Sequence, residues 1–179
     1  NPDFFRGRPK IERIISNQIA DVSVKVLSME KGEIDVIQLT TPDDIERMKA
    51  NPNVTVFPHG APLTQFIMTN INQPYLADKR VRKALIHAID RNTIISTLYK
   101  NNAEVVNYGI FKSWIPVDDL DPYEYNPEKA KQYLADAGFD MDQELRLWFY
   151  YTDEFHRKLG ATIQQYWQDI GLKVSLNIR

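Results

Sequence analysis

Three histidines, a few paired carboxylates and one basic cluster are the residues of this 179-residue chain with the right types for chemistry. His59, His87 and His156 are scattered. None stands four residues from another and none lies in a His-Glu-x-x-His frame, so their spacing builds no zinc site. There is no cysteine, which removes disulfides, thiolate nucleophiles and Cys-based metal sites. Asp43-Asp44 is accounted for by helix capping, and Asp118-Asp119 by a solvated loop. A general acid–base pair needs instead a shielded pocket that drives its two pKa values apart. No Gly-x-Ser-x-Gly elbow, phosphate loop or Gly-x-Gly-x-x-Gly occurs. The chain therefore reads as a non-enzyme without cofactor or metal.

His87 sits one residue off the apolar stripe of its helix, between Ile86 and Ala88, and reads as a flank histidine packed on a neighbour. His156 differs. It falls in the first turn of the last long helix, just after Leu147-Trp148-Phe149-Tyr150-Tyr151. A strand's carboxyl end running into a helix amino end is the usual crevice position in α/β folds. The free N–H groups there suit a carboxylate. From this geometry alone, a surface cap and a ligand contact are both open.

The basic cluster Lys79-Arg80-Val81-Arg82-Lys83 opens a helix whose apolar stripe begins at Val81, so part of it lies on a solvated face. Lys and Arg total 22 against 24 Asp and Glu, a net charge of −2 that lacks the basic excess nucleic-acid binding requires. Aromatic residues make up 11% of the chain, which suits a cleft or a bulky core. No apolar run approaches the roughly 18 residues of a membrane helix. The chain opens on Asn1-Pro2-Asp3 and closes within an alternating run, Lys173 to Arg179, and is expected to be an internal piece of a longer protein.

The elements that must position these residues alternate. Lys10–Ile19 reads as a strand, Val22–Lys31 as a helix capped by Asp21 and stopped at Gly32, and Glu33–Leu39 as a second strand. Thr41-Pro42-Asp43-Asp44 starts a helix with Pro42 at its first position, and Val54–Phe57 is a third short strand. Pro58-His59-Gly60-Ala61-Pro62 breaks the pattern and marks a boundary. Beyond it come a strand over Leu63–Asn70 and one long helix from Lys79 to Tyr99. An irregular stretch follows from Asn101 to Tyr125. Asn126-Pro127 caps a helix ending at Gly138. Leu145–Tyr150 is a strand, and Thr152-Asp153-Glu154 starts a helix with the stripe Phe155, Leu159, Ile163, Tyr166 and Ile170. Gly171 ends it and Leu172–Ile178 returns as a strand. The order implies an α/β fold with some parallel pairing.

Several segments, in order, resemble one family. Asn1-Pro2-Asp3-Phe4-Phe5-Arg6-Gly7-Arg8-Pro9-Lys10, Gly32-Glu33-Ile34-Asp35-Val36, Asp78-Lys79-Arg80-Val81-Arg82-Lys83-Ala84, Tyr125-Asn126-Pro127 through Gly138, and Ile170-Gly171-Leu172-Lys173-Val174 carry the likeness. It is to the extracytoplasmic solute-binding proteins of peptide and nickel ABC importers. The resemblance implies a fragment of a two-lobed, type II periplasmic-binding-protein-like clamp with mixed sheets flanked by helices. Residues 1–61 would belong to the first lobe and 62–179 to a truncated second. It implies capture of a peptide or other small solute by a monomer outside the cytoplasm, periplasmic or lipid-anchored, for delivery to importer membrane subunits, with no nucleic acid involved. It matches Phe66, Tyr151 and His156 to ligand-lining positions, although Tyr151 stands where peptide binders often carry Asn. His156 is expected to face the cleft near Phe66 and Tyr151. A ligand-sensing domain of a transcription regulator with the same fold, or a binder of nickel or another small solute, is the alternative.

Overall fold

The computed structural model describes residues 4–38, 41–57, 64–106 and 121–179. The expected boundary over Pro58–Pro62, His59, Asp118-Asp119 and most of the irregular stretch lie outside the described residues. The chain divides into two compact units, Asn1–Val56 and Phe57–Arg179.

The first unit holds α1 (Val22–Glu30) and α2 (Pro42–Lys49). Asp21 caps α1 by accepting from the Val24 N–H at 3.1 Å, as its position before the helix predicts. Thr41 precedes Pro42 as expected, but its hydroxyl bonds the Asp44 carboxylate instead of a backbone N–H. Val26, Pro42 and Met48 are buried, and Arg47 grips Glu30 in a two-pronged ion pair at 2.7 and 2.6 Å.

The second unit carries α3 (Pro74–Ala77), α4 (Lys79–His87), α5 (Arg91–Thr97), α6 (Pro127–Asp136), β1 (Glu144–Phe149), α7 (Glu154–Asp169) and β2 (Lys173–Ile178). β1 and β2 pair in parallel, from Glu144 opposite Lys173 to Phe149 opposite Ile178. In β1 the alternation Glu-Leu-Arg-Leu-Trp turns Leu145 and Leu147 inward and leaves Glu144, Arg146 and Trp148 exposed. The inward residues join Val81, Leu85, Leu134, Ile163 and Trp167 in one core. Gly160 lets α7 lie close to the sheet, because a Cβ there would stand 3.1 Å from Leu176 and 3.2 Å from Phe149.

Two expectations change. Lys10–Ile19, Glu33–Leu39, Val54–Phe57 and Leu63–Asn70 form no strand among the described residues. Their described residues run without helix or ladder, with Ile11, Ile14, Val36, Phe57, Phe66 and Met68 exposed. A strand exists only where a neighbour receives its backbone donors and acceptors, and β-rich composition supplies no neighbour. The long helix from Lys79 to Tyr99 is two. α4 ends at His87 with Ala88 as its C-cap, and Asp90 caps α5 by accepting from the Thr93 N–H at 3.0 Å and its hydroxyl at 2.7 Å.

That break organises the core. The Ile89 N–H turns to the Ile86 carbonyl, so the Leu85 carbonyl lacks its helical donor. The indole N–H of Trp167 fills the place at 2.9 Å. The stripe of α7 therefore includes Trp167, which is buried, ahead of the half-buried Tyr166. The basic cluster is engaged as well. Arg80 bonds both carboxylate oxygens of Asp78 and reaches the Asp136 carbonyl at 2.6 Å, tying α4 to the end of α6. These bonds hold the Asp78 carboxyl down to about 2. Arg82 donates to the Leu76 and Ala77 carbonyls at 2.8 and 2.7 Å.

Trp167→Ala should cost about 3–5 kcal/mol in urea unfolding, as the core loses an aromatic. Trp167→Phe should cost about 1–3 kcal/mol, largely the buried Leu85 carbonyl left unpaired. A Phe variant as stable as the parent would remove that bond from the account.

Candidate functional site

The parallel pairing places the carboxyl end of β1 beside the amino end of α7, and the short link between them carries the site. Asp153 is the N-cap, in extended conformation, and its Oδ1 accepts from the His156 N–H at 3.0 Å. Its Oδ2 meets His156 Nδ1 at 2.7 Å. Arg157 Nε donates to the Thr152 carbonyl at 2.8 Å and secures the link from the other side.

A carboxylate accepts only, so Nδ1 of His156 carries a proton, and in the neutral ring Nε2 is then an acceptor. Nε2 lies 3.2 Å from the side-chain nitrogen of Gln65, which donates to it. The Gln65 oxygen then accepts from the Tyr99 hydroxyl. One consistent direction runs from Tyr99 through Gln65 and His156 to Asp153. Burial pushes the Tyr99 hydroxyl up to about 12, so it remains a donor. Burial alone would raise the Asp153 carboxyl, but the His156 backbone and ring hydrogen bonds outweigh it and the net shift is downward.

Aromatic rings surround this chain. Tyr151 stacks on His156 with centroids 4.2 Å apart and planes 21° apart. Tyr150 lies on Tyr151 at 4.2 Å, their hydroxyls 3.1 Å apart. Phe155 meets Tyr99 edge-on at 4.9 Å and His156 at 5.2 Å. The His156 side chain is only 15% exposed.

The structure thus brings Tyr151 and His156 together but not Phe66, whose ring is 70% exposed. Neighbouring residues of an extended stretch face opposite ways, so the contact of Gln65 with His156 directs Phe66 away from it. Sequence reasoning missed Gln65, Tyr99 and Tyr150. Period-two alternation around Phe66 would have flagged Gln65 as its opposite; nothing local distinguishes Tyr99.

His87 is fully inside rather than on a flank, at 1% exposure between Tyr133 and Tyr123. Its Nδ1 lies 2.7 Å from the Glu124 carbonyl and donates to it, its own carbonyl accepts from the Asn126 N–H, and Arg91 holds the Pro122 and Tyr123 carbonyls. This histidine fastens residues 121–126 to α4. Among the described residues no group of three or more His, Cys, Asp or Glu could hold a metal ion, and no helix is long and apolar enough to cross a membrane.

The family model of bacterial extracellular solute-binding proteins, family 5 middle, matches residues 1–179. The dipeptide-binding protein of Escherichia coli is 26% identical over 178 residues, covering 97% of this chain and 33% of that protein. The chain thus spans about a third of the length of the curated relatives it matches. The periplasmic binding protein DppA of Helicobacter pylori, solved with the peptide STSA, superposes with a TM-score of 0.81 at 25% identity, over 90% of this chain and 31% of that one. NikZ of Campylobacter jejuni, solved with Ni(L-His), gives 0.80 at 24% identity over 90% of this chain and 35% of that one, a likeness of fold.

Asp153→Ala should cost about 1 kcal/mol, the usual value of an N-cap, and Asp153→Asn less than half of that, since an amide oxygen can still cap. The lowered Asp153 carboxyl contributes stability that is present above the unfolded value and lost as pH falls through the folded one. Parent and Asp153→Asn, compared by urea unfolding, should therefore begin to converge as pH falls below about 4 and meet only below the lowered folded value; a gap that does not narrow as pH falls through this range would contradict the cap.

Proposed function

The chain belongs to family 5 of the bacterial extracellular solute-binding proteins, and on that premise we propose that the full protein captures a peptide between two lobes and delivers it to the membrane subunits of an ABC importer. It does so as a monomer outside the cytoplasmic membrane, without catalysis and without nucleic acid. Residues 1–61 contribute to the first lobe and residues 62–179 to the second.

The observation that carries the reading is the turn from β1 into α7. Asp153 and Gln65 fix the His156 ring against Tyr151 at the carboxyl end of a parallel strand, where α/β proteins gather ligands. Tyr151 and His156 line the ligand there, while Phe66, exposed and turned away from His156, would meet it apart from this turn. Peptide recognition of this kind resembles strand addition: main-chain hydrogen bonds supply affinity and hydrated pockets admit varied side chains. The names of the E. coli and H. pylori relatives, a dipeptide binder and a protein solved with a peptide, support the ligand class.

Calorimetric titration of the full-length protein with di- to hexapeptides should give saturable binding of at least one peptide class. Binding of nickel chelates with no response to any peptide would overturn the peptide reading and leave the family intact. His156→Ala should weaken peptide binding by about 1 kcal/mol, because Tyr151 loses the ring it stacks on, with little change in melting temperature. Unchanged affinity with a large drop in melting temperature would make His156 a structural residue only.

A further inference from the structure

Tyr150 and Tyr151 are consecutive, and consecutive side chains of an extended chain normally point to opposite sides. Here their rings overlap, with centroids 4.2 Å apart, and the pile continues onto His156 at the same spacing. The chain leaves strand alternation at this point, and the two hydroxyls stand 3.1 Å apart. The pile is anchored below and open above. His156 at its base is pinned through both ring nitrogens, by Asp153 and by Gln65. Tyr150 at its top is 75% exposed.

With both nitrogens engaged, His156 offers a ligand no free hydrogen-bonding valence. What this turn presents is a flat, pre-ordered ring surface. The local charges balance in number: the Asp153 and Glu154 carboxylates share the turn with the Arg157 guanidinium, which donates to the Thr152 carbonyl, and with Lys158, which pairs with Glu154 at 2.8 Å. A cationic side chain finds no net charge to meet there and gains only the cation–π attraction of an exposed ring, whereas an aromatic ring gains an offset-stacked partner whose ordering has already occurred.

Building on the peptide-binding reading above, we propose that the Tyr150–Tyr151 pile is a specificity subsite that selects peptides bearing an aromatic side chain, with His156 as the residue that positions Tyr151. The proposal names a substrate subclass and leaves the importer role as it stands.

The test uses the full-length protein and short peptides identical except at one position, which carries Phe, cyclohexylalanine, Leu, Lys or Ala in turn. At one position Phe should bind about tenfold more tightly than Ala and clearly more tightly than cyclohexylalanine, which has the bulk without the π face. Tyr150→Ala and Tyr150→Leu should reduce the Phe-to-Ala ratio to under about twofold, and Tyr150→Phe should keep it. Since Tyr150 is exposed, its variants should melt with the parent, and the Leu variant guards against a folding defect in the Ala variant. Equal binding of Phe and Ala peptides at every position, a preference for Lys, or a ratio untouched by Tyr150→Ala would overturn the subsite while peptide capture stands. Absence of binding to any peptide would overturn the peptide reading and this inference with it.

Discussion

Two parallel strands cannot be joined by a tight turn; the chain must travel back along its own length before it can pair again. In this protein the 16 residues of α7 make that return, and the six-residue strands β1 and β2 close the ladder around it. The remaining features of the second unit follow from this crossover. Leu145 and Leu147 find a helix to bury against, Gly160 allows that helix to approach, and Trp167 reaches the interrupted end of α4. The crossover also forces one strand's end and one helix's start into the same small space, so Tyr150, Tyr151, Asp153 and His156 meet there.

Asp153 shows how much a single carboxylate decides. One oxygen satisfies a helix N–H that would otherwise lack a partner, and the other sets the tautomer of His156. Once Nδ1 holds the proton, the donors and acceptors of Gln65 and Tyr99 fall into order without a conflict. His87 uses the same device with a carbonyl in place of the carboxylate, and the result is structural: a buried ring that pins residues 121–126. The two histidines differ in what stands on the second nitrogen. At His156 a side chain from a separate segment reaches it. At His87 Nε2 is buried without a partner among the described residues.

Much of the second unit was legible in the sequence because its signals are local. Asn126-Pro127 and Gly138 bound α6, Asp153 caps α7, Gly171 at φ +93° ends it, and the alternation in Glu144–Trp148 gives β1 its inner face. The break between α4 and α5 was equally local, an Asp90 cap with Thr93 three residues on, but the unbroken apolar spacing around it masked the signal. Misread strands mark where local signals end. Lys10–Ile19 has the composition of a strand, yet pairing is a property of two segments and cannot be read from one. The site divides along the same line. The strand-to-helix turn that singled out His156 is written in consecutive residues and Tyr151 came from the family resemblance, whereas Gln65 enters from 91 positions away and its local alternation says nothing of the partner it meets.

The two-stranded sheet has a further consequence for handling this piece of chain. Each strand uses one side of its backbone on the other, so the outer side of both has no ladder partner among the described residues. Extended segments with exposed Ile11, Ile14, Val36 and Met68 accompany them. Open ladder edges and unpaired apolar segments are what drive strands of separate molecules to add to one another. Among the described residues these edges and segments are where strands of separate molecules would add, so the solubility of the 179 residues produced in isolation reads directly on whether they are covered.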